Sequence, residues 1–202
     1  YDPYSNSKSC SELVTESYQN SFFQDRDVAI STMRAGNVIG GGDFAADRII
    51  PDCVRAAMEG KDIIIRNPYS IRPFQHVLEP IMAYLLVAKK QYKKSQLSGS
   101  YNIGPDEKDC ITTGRLTDLF CEIWCEKTGK RMQWIDKFDG GPHEANFLKL
   151  DCSKIKKCFG WKPIWSVEEA VEKTIVLYYD YYLGNNMKNC MEEQIVDYFN
   201  RC

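Results

Sequence analysis

A chain of 202 residues with 44% apolar content can bury a core of its own, and its length favours one domain or a domain with an excursion. Lys+Arg 26 against Asp+Glu 28 leaves a net charge of -2, which excludes a basic field for nucleic acid or an anionic membrane, so any phosphate must be held by local groups. Nine cysteines without C-x-x-C spacing and two histidines far apart exclude a disulfide framework and a four-ligand zinc set, so reduced thiols and no metal are expected.

No apolar run approaches the ~20 residues that span a bilayer, and no charged leader precedes an apolar segment. A cytoplasmic protein without a membrane span is therefore expected. The sequence opens at Tyr1 without an initiator Met and gives a turn signal at once, which reads as the carboxyl-terminal portion of something longer.

In chain order, Asp2 is a candidate N-cap and Pro3 a first helical residue. Tyr4 to about Phe23 then carries Leu13, Val14, Tyr18 and Phe22 at helical spacing. A β-branched run at Val28, Ile30 and Thr32 predicts a strand that enters a loop bounded by Gly36 and Gly40. RIIPDCVRAAMEG reads as a short helix ended by Gly60, IIIR as a strand, 72–77 as extended, 78–92 as a helix, and SYNIG as a strand stopping at Gly104-Pro105. A helix over 116–128, strands over 132–135 and 147–150, and helices over 153–159 and 167–183 complete the order; the tail from Gly184 is polar with a weak amphipathic helix. Strands alternating with helices predict an α/β fold with a parallel or mixed sheet. The strand plus G-x-G-x-x-G that opens a dinucleotide fold is absent from these residues.

YSNSK places Tyr4 and Lys8 one helical turn apart, on one face. A phenol titrates near ~10 and is a poor base at neutral pH unless its anion is favoured. A neighbouring ammonium and a helix N-terminus both favour that anion, so the spacing suits a base that removes a hydroxyl proton as hydride leaves the same carbon. A bare Y-x-x-x-K is equally the first turn of an exposed helix; its setting, one helix upstream of a strand ending in RAGNVIG, adds the weight.

YDPYSNSKSCSE followed by RAGNVIGGGDFAADRIIPD resembles the extended short-chain dehydrogenase/reductase family of nucleotide-sugar enzymes. RNPYSIRPFQHVLEP and PHEANFLKLDCSK are similar to the branch of that family acting on CDP-glucose, rather than to its dTDP- or GDP-sugar relatives. The resemblance extends to about Gly184. It implies the carboxyl-terminal part of a Rossmann-like doubly wound sheet plus a smaller mixed α/β substrate-binding domain. Residues 1–40 with about 74–104 would belong to the NAD-binding half, 41–73 and 105–184 to the nucleotide-sugar-binding half, and 185–202 to a C-terminal tail. Tyr4 would be the catalytic base, and Lys8 would hold the nicotinamide ribose and assist Tyr4. The implied reaction is a 4,6-dehydration by internal redox: hydride leaves C4 of the glucose, water is eliminated across C5 and C6, and hydride returns at C6.

By the same resemblance, Asn37 and Val38 lie in the stretch that passes under the nicotinamide toward the sugar. Asn37 offers a donor and an acceptor to a sugar hydroxyl or phosphate, and is equally a turn residue. Gly40-Gly41-Gly42 can cradle an anion or simply form a loop. Arg48 and Arg72 are candidates for the diphosphate, since a guanidinium fork binds phosphate oxygens bidentately. Glu144 stands where many relatives carry a basic residue; it can accept from a ribose hydroxyl or the cytosine amine, with Asn146 sharing that work. His76 is expected to be a satisfied structural histidine, and YYDYY at 178–182 to be helix packing.

A 4-epimerase or reductase of the same family would share Tyr4 and Lys8, and a non-catalytic nucleotide-sugar-binding module would need neither. The resemblance also implies a homodimer or higher homo-oligomer, paired through the helix that carries Tyr4. The further acid and base of the elimination lie, in this family, upstream of the catalytic tyrosine, so these residues alone are expected to bind NAD weakly and not to turn over.

Overall fold

The computed structural model describes residues 3–24, 26–138 and 147–202. Helix α1 covers Pro3–Tyr18 and continues through a π-helical turn at Gln19–Phe23. After the connection come β1 (Ser31–Ala35), β2 (Asn37–Ile39), α2 (Ile49–Glu59), β3 (Ile63–Ile65), β4 (Ile71–His76), α3 (Leu78–Gln91) and β5 (Gly99–Ile103). Strand β6 (Cys110–Thr112), α4 (Thr113–Thr128), β7 (Trp134–Asp136), α5 (Ser153–Phe159), α6 (Val167–Tyr182) and α7 (Met187–Phe199) follow. This is the α/β order that the hydrophobic spacing predicts.

Three small sheets result among the described residues. β1 pairs parallel with β5, β4 lies between parallel β2 and antiparallel β6, and β3 pairs parallel with β7. Gly36 joins the first sheet to the second: its N–H donates to Ile103 O at 2.8 Å, and a Cβ there would stand 2.6 Å from the Pro73 carbonyl oxygen. Only glycine lets β1 pass β4 so closely.

Two hydrophobic clusters fill the layers. One joins Ile39 and Phe74 of the central sheet to Ile50, Cys53, Val54 and Ala57 of α2, and to α4 and α6. The α2 contribution is the i, i+3, i+4, i+7 stripe that its sequence carries. Gly60 then ends α2 in the left-handed region, at φ 66. Ser166 and Glu169 start α6 with a reciprocal capping box. The second cluster packs α3 and α5 on β5 through Ala83, Val87, Tyr101, Ile103, Ile155 and Phe159.

Three expectations change. The stretch 37–38, expected in a loop, is strand β2, because β4 offers it a parallel partner that local sequence does not reveal. The strand expected over 147–150 is a single bridge between Ile71 and Phe147. Strand β6, unforeseen, exists because Cys110 and Ile111 find the edge of β4. The weak amphipathic helix expected in the polar tail is α7, docked by a buried Tyr198.

Candidate active site

Helix α1 carries the first candidates. Tyr4 is 70% exposed, and the Lys8 ammonium sits 5.3 Å from the centroid of its ring, so one turn of helix brings the two groups together. Helix α1 and strand β1 face each other across an open groove of about 610 Å³ lined by Glu12, Glu16, Ile30, Thr32 and Arg34. Glu12 and Arg34 meet across the groove in a two-pronged ion pair. Tyr4 lies two turns, about 12 Å, up the helix from Glu12. The carboxyl end of β1 leads through Gly36 into β2.

At that end, Asn37 lies opposite Phe74 in the β2–β4 ladder and is exposed, as is Val38. Residues directly opposite share a face, and alternation along β4 puts Arg72 on the face of Phe74. Asn37 and Arg72 are thus brought onto one face of adjacent strands. Arg72 Nη1 donates to the Ile71 carbonyl at 3.0 Å.

The loop between β2 and α2 holds Arg48 at the N-terminus of α2, in extended backbone. Asp43 braces it, accepting from Arg48 Nη1 at 2.8 Å and from the Ala45 N–H at 3.0 Å. Burial works to raise the Asp43 carboxyl, but the Ala45 amide and the Arg48 guanidinium outweigh it and hold it below the ordinary value. From the other side the Tyr178 hydroxyl donates to the Asp43 carbonyl. Burial, with the Asp43 carboxylate beside it, pushes that phenol up to about 12. Tyr178 is therefore packing, as expected of the aromatic run, and it also fixes the loop that presents Arg48, whereas Tyr181 and Tyr182, expected to pack with it, are exposed.

Gly40 and Gly41 are glycine for packing. A Cβ on Gly41 would lie 2.2 Å from Leu177 Cδ2 of α6, and one on Gly40 would lie 2.9 Å from Val77 Cγ1. Glu144 and Asn146 lie outside the described residues. Among the described residues no group of three or more His, Cys, Asp or Glu could hold a metal ion, and no helix is long and apolar enough to cross a membrane.

His76 is buried at the end of β4, with Nδ1 accepting from the Leu78 N–H at 3.3 Å. Its Nε2 has no hydrogen-bond partner among the described residues, and the ring lies edge-on to Trp165 at 4.8 Å. Burial lowers its pKa to about 4, with Lys173 adding to the effect, so at neutral pH it is an uncharged packing group. Its satisfaction is thus partial: one nitrogen is bonded and the other meets an aromatic ring.

Two features escaped the sequence reading. Glu12 lay in plain view, one turn beyond Lys8 in Tyr4-x-x-x-Lys8-x-x-x-Glu12, but its partner Arg34 is supplied by the sheet. Glu79 is fully buried, its Oε1 accepting from the Ile164 and Trp165 amides at 2.9 and 2.8 Å and its Oε2 from the Tyr198 hydroxyl at 2.7 Å.

The order of these elements, with parallel strands joined through helices, is the α/β fold of solved nucleotide-sugar dehydratase and epimerase structures. The chain belongs to the GDP-mannose 4,6 dehydratase family, whose model matches residues 1–174. It is 42% identical over 204 residues to the CDP-glucose 4,6-dehydratase of Salmonella typhimurium, covering 98% of this chain and 56% of that protein. It is 26% identical over 186 residues to the dTDP-glucose 4,6-dehydratase of the same organism, covering 91% of this chain and 48% of that one. In fold it is similar to a dTDP-glucose 4,6-dehydratase of Bacillus anthracis in complex with NAD, at a TM-score of 0.70 and 21% identity over 90% of this chain and 53% of that one. A UDP-glucose 4-epimerase of Thermotoga maritima with UDP-glucose gives a TM-score of 0.71 at 21% identity, over 91% of this chain and 55% of that one. The chain thus spans about half the length of the relatives it matches.

Proposed function

We propose that this chain is the tyrosine–lysine and nucleotide-sugar-binding portion of an NAD-dependent CDP-glucose 4,6-dehydratase, a lyase whose activity belongs to a longer polypeptide. The observation that carries this reading is the gap between 42% identity to a CDP-glucose dehydratase and 26% to a dTDP-glucose one, at nearly full coverage of this chain.

Bound NAD would supply the hydride acceptor for C4 of the sugar and the donor for C6, so the cofactor is regenerated within each turnover. Tyr4 takes the proton of the C4 hydroxyl as that carbon is oxidised. Lys8 stabilises the phenolate and binds the nicotinamide ribose, and Asn37 and Val38 line the floor beneath the ring. Arg72 and Arg48 hold the diphosphate, Arg48 kept in place by Asp43. Glu144 and Asn146 contact the cytidine. Residues 1–40 with about 74–104 belong to the cofactor half, and 41–73 with 105–184 to the sugar-nucleotide half. The exposed Leu13, Val14, Tyr18 and Phe22 of α1 and its π-helical turn suit pairing with a second copy in a cytoplasmic homodimer.

The test is turnover by the full polypeptide with NAD and, separately, CDP-glucose, dTDP-glucose and UDP-glucose. A 4-keto-6-deoxy product, seen by its absorbance in alkali, is expected with CDP-glucose. A C4 epimer without loss of water would give the protein to the 4-epimerases. Binding of CDP-glucose with no conversion would make it a binding module.

A further inference from the structure

Tyr4, Lys8 and Glu12 stand at i, i+4 and i+8 of α1, so the Lys8 ammonium lies between a phenol and a carboxylate on one stripe. A carboxylate one turn away is an ion-pair partner for a lysine, and an ammonium drawn down the helix is withdrawn from the phenol. Lys8 Nζ nevertheless remains 5.3 Å from the Tyr4 ring centroid. Both oxygens of Glu12 are taken by Arg34 of β1, Oε1 by Nε and Oε2 by Nη2. That hydrogen bonding holds the Glu12 carboxyl below its ordinary value. Arg34 is itself held, since Nη1 donates to Asn102 Oδ1 at 3.3 Å and Asn102 Nδ2 donates to the Asp151 carbonyl at 3.0 Å.

We infer that Arg34 is a positioning residue that keeps the Lys8 ammonium turned toward Tyr4 by occupying the carboxylate of Glu12. The inference rests on the reading of Tyr4 and Lys8 as the proton-transfer pair. α1 contributes no buried residue, so apolar packing does not fix this stripe. The charged groups lining the groove are Glu12 and Glu16 on α1 and Arg34 on β1, and Lys154 of α5 donates to the carbonyl of Ser100, another lining residue. Without Arg34, Glu12 carries an uncompensated charge one turn from Lys8 and pairs with it, and the phenolate loses its favourable neighbour. Removing the charge of Glu12 as well reverses that effect, whereas it cannot restore a lost tether.

The experiment is the pH profile of kcat/KM in the full polypeptide. Arg34→Gln is expected to move the acid limb upward by about half a unit, with the rate at neutral pH falling roughly threefold. Glu12→Gln alone leaves the limb in place, and Arg34→Gln with Glu12→Gln returns it to the wild-type position. An unmoved limb in Arg34→Gln overturns the inference. So does a limb that stays displaced in the double variant, which would make Arg34 a tether alone. Tyr4→Phe separates the inference from the reading beneath it: full activity there refutes Tyr4 as the base. In that case the ionisation of the Tyr4 phenol, followed by ring-carbon NMR in the same variants, decides. An upward shift in Arg34→Gln that reverts in the double variant supports the inference, and identical titrations overturn it.

Discussion

Glu79 and Glu12 are the same side chain in opposite circumstances. Glu79 is fully buried at the start of α3 and satisfied by three donors, from the segment before α6 and from α7. Glu12 is half-buried, on a helix with no fully buried residue, and has an arginine across a groove. Burial sets the worth of each, because an unmet donor in the core costs far more than an unmet charge in water. The carboxyl-terminal end of the chain therefore holds its place by packing, while the end bearing Tyr4 and Lys8 is oriented by charge. Lys173 with Asp197, and the Gln194 amide donating to the Lys173 carbonyl at 2.7 Å, add polar seams beneath α7.

The contrast predicts a wide spread of effects. Glu79→Ala strands two amides and a phenol in the core and leaves a cavity, so urea unfolding should show a loss of about 3–5 kcal/mol. Loss of under about 1 kcal/mol would show that α7 is not held through this carboxylate.

Next is pH. Burial lowers the His76 pKa to about 4 from its ordinary 6.5. Its neutral form is favoured by folding, so the stability is present above about pH 6.5 and is lost as pH falls toward 4, by up to about 3 kcal/mol. Glu79, raised by burial, works in the other direction as it protonates in the fold. The variant His76→Gln isolates the histidine: its unfolding free energy should lose that downward slope, and an unchanged slope would assign it elsewhere.

Gly36→Ala sets a Cβ against the Pro73 carbonyl, and the β1–β2 junction must give, at about 1–3 kcal/mol in thermal or urea unfolding. Tyr178→Phe removes one hydrogen bond to the Asp43 carbonyl, at about 1 kcal/mol, and should weaken CDP binding through Arg48 more than it lowers stability. Smallest of all is Glu12→Gln, at about 0.5 kcal/mol or less, because its pair with Arg34 is part exposed.

Where periodicity and caps decide structure, the sequence was legible. Gly60, Gly129 and Gly160 end α2, α4 and α5 in the left-handed region, and the stripe of α2 points into the core as its spacing requires. Strands β2 and β6 were not legible, being short and held by pairing with β4 rather than by propensity. The Tyr4–Lys8 spacing was visible because helix geometry alone brings those residues together. Arg34 and Glu79 were hidden because their partners are tens of residues away, and a buried carboxylate in HVLEP looks in sequence like any helix-start acid.

In the proposed function, the phenol of Tyr4 performs the proton transfer. The most direct measurement compares wild type and Tyr4→Phe of the full polypeptide, with NAD and CDP-glucose, for both substrate affinity and product formation. Affinity retained within a few-fold, with product formation down by about a thousandfold, is the result expected. Product formed by Tyr4→Phe at the wild-type rate would contradict it.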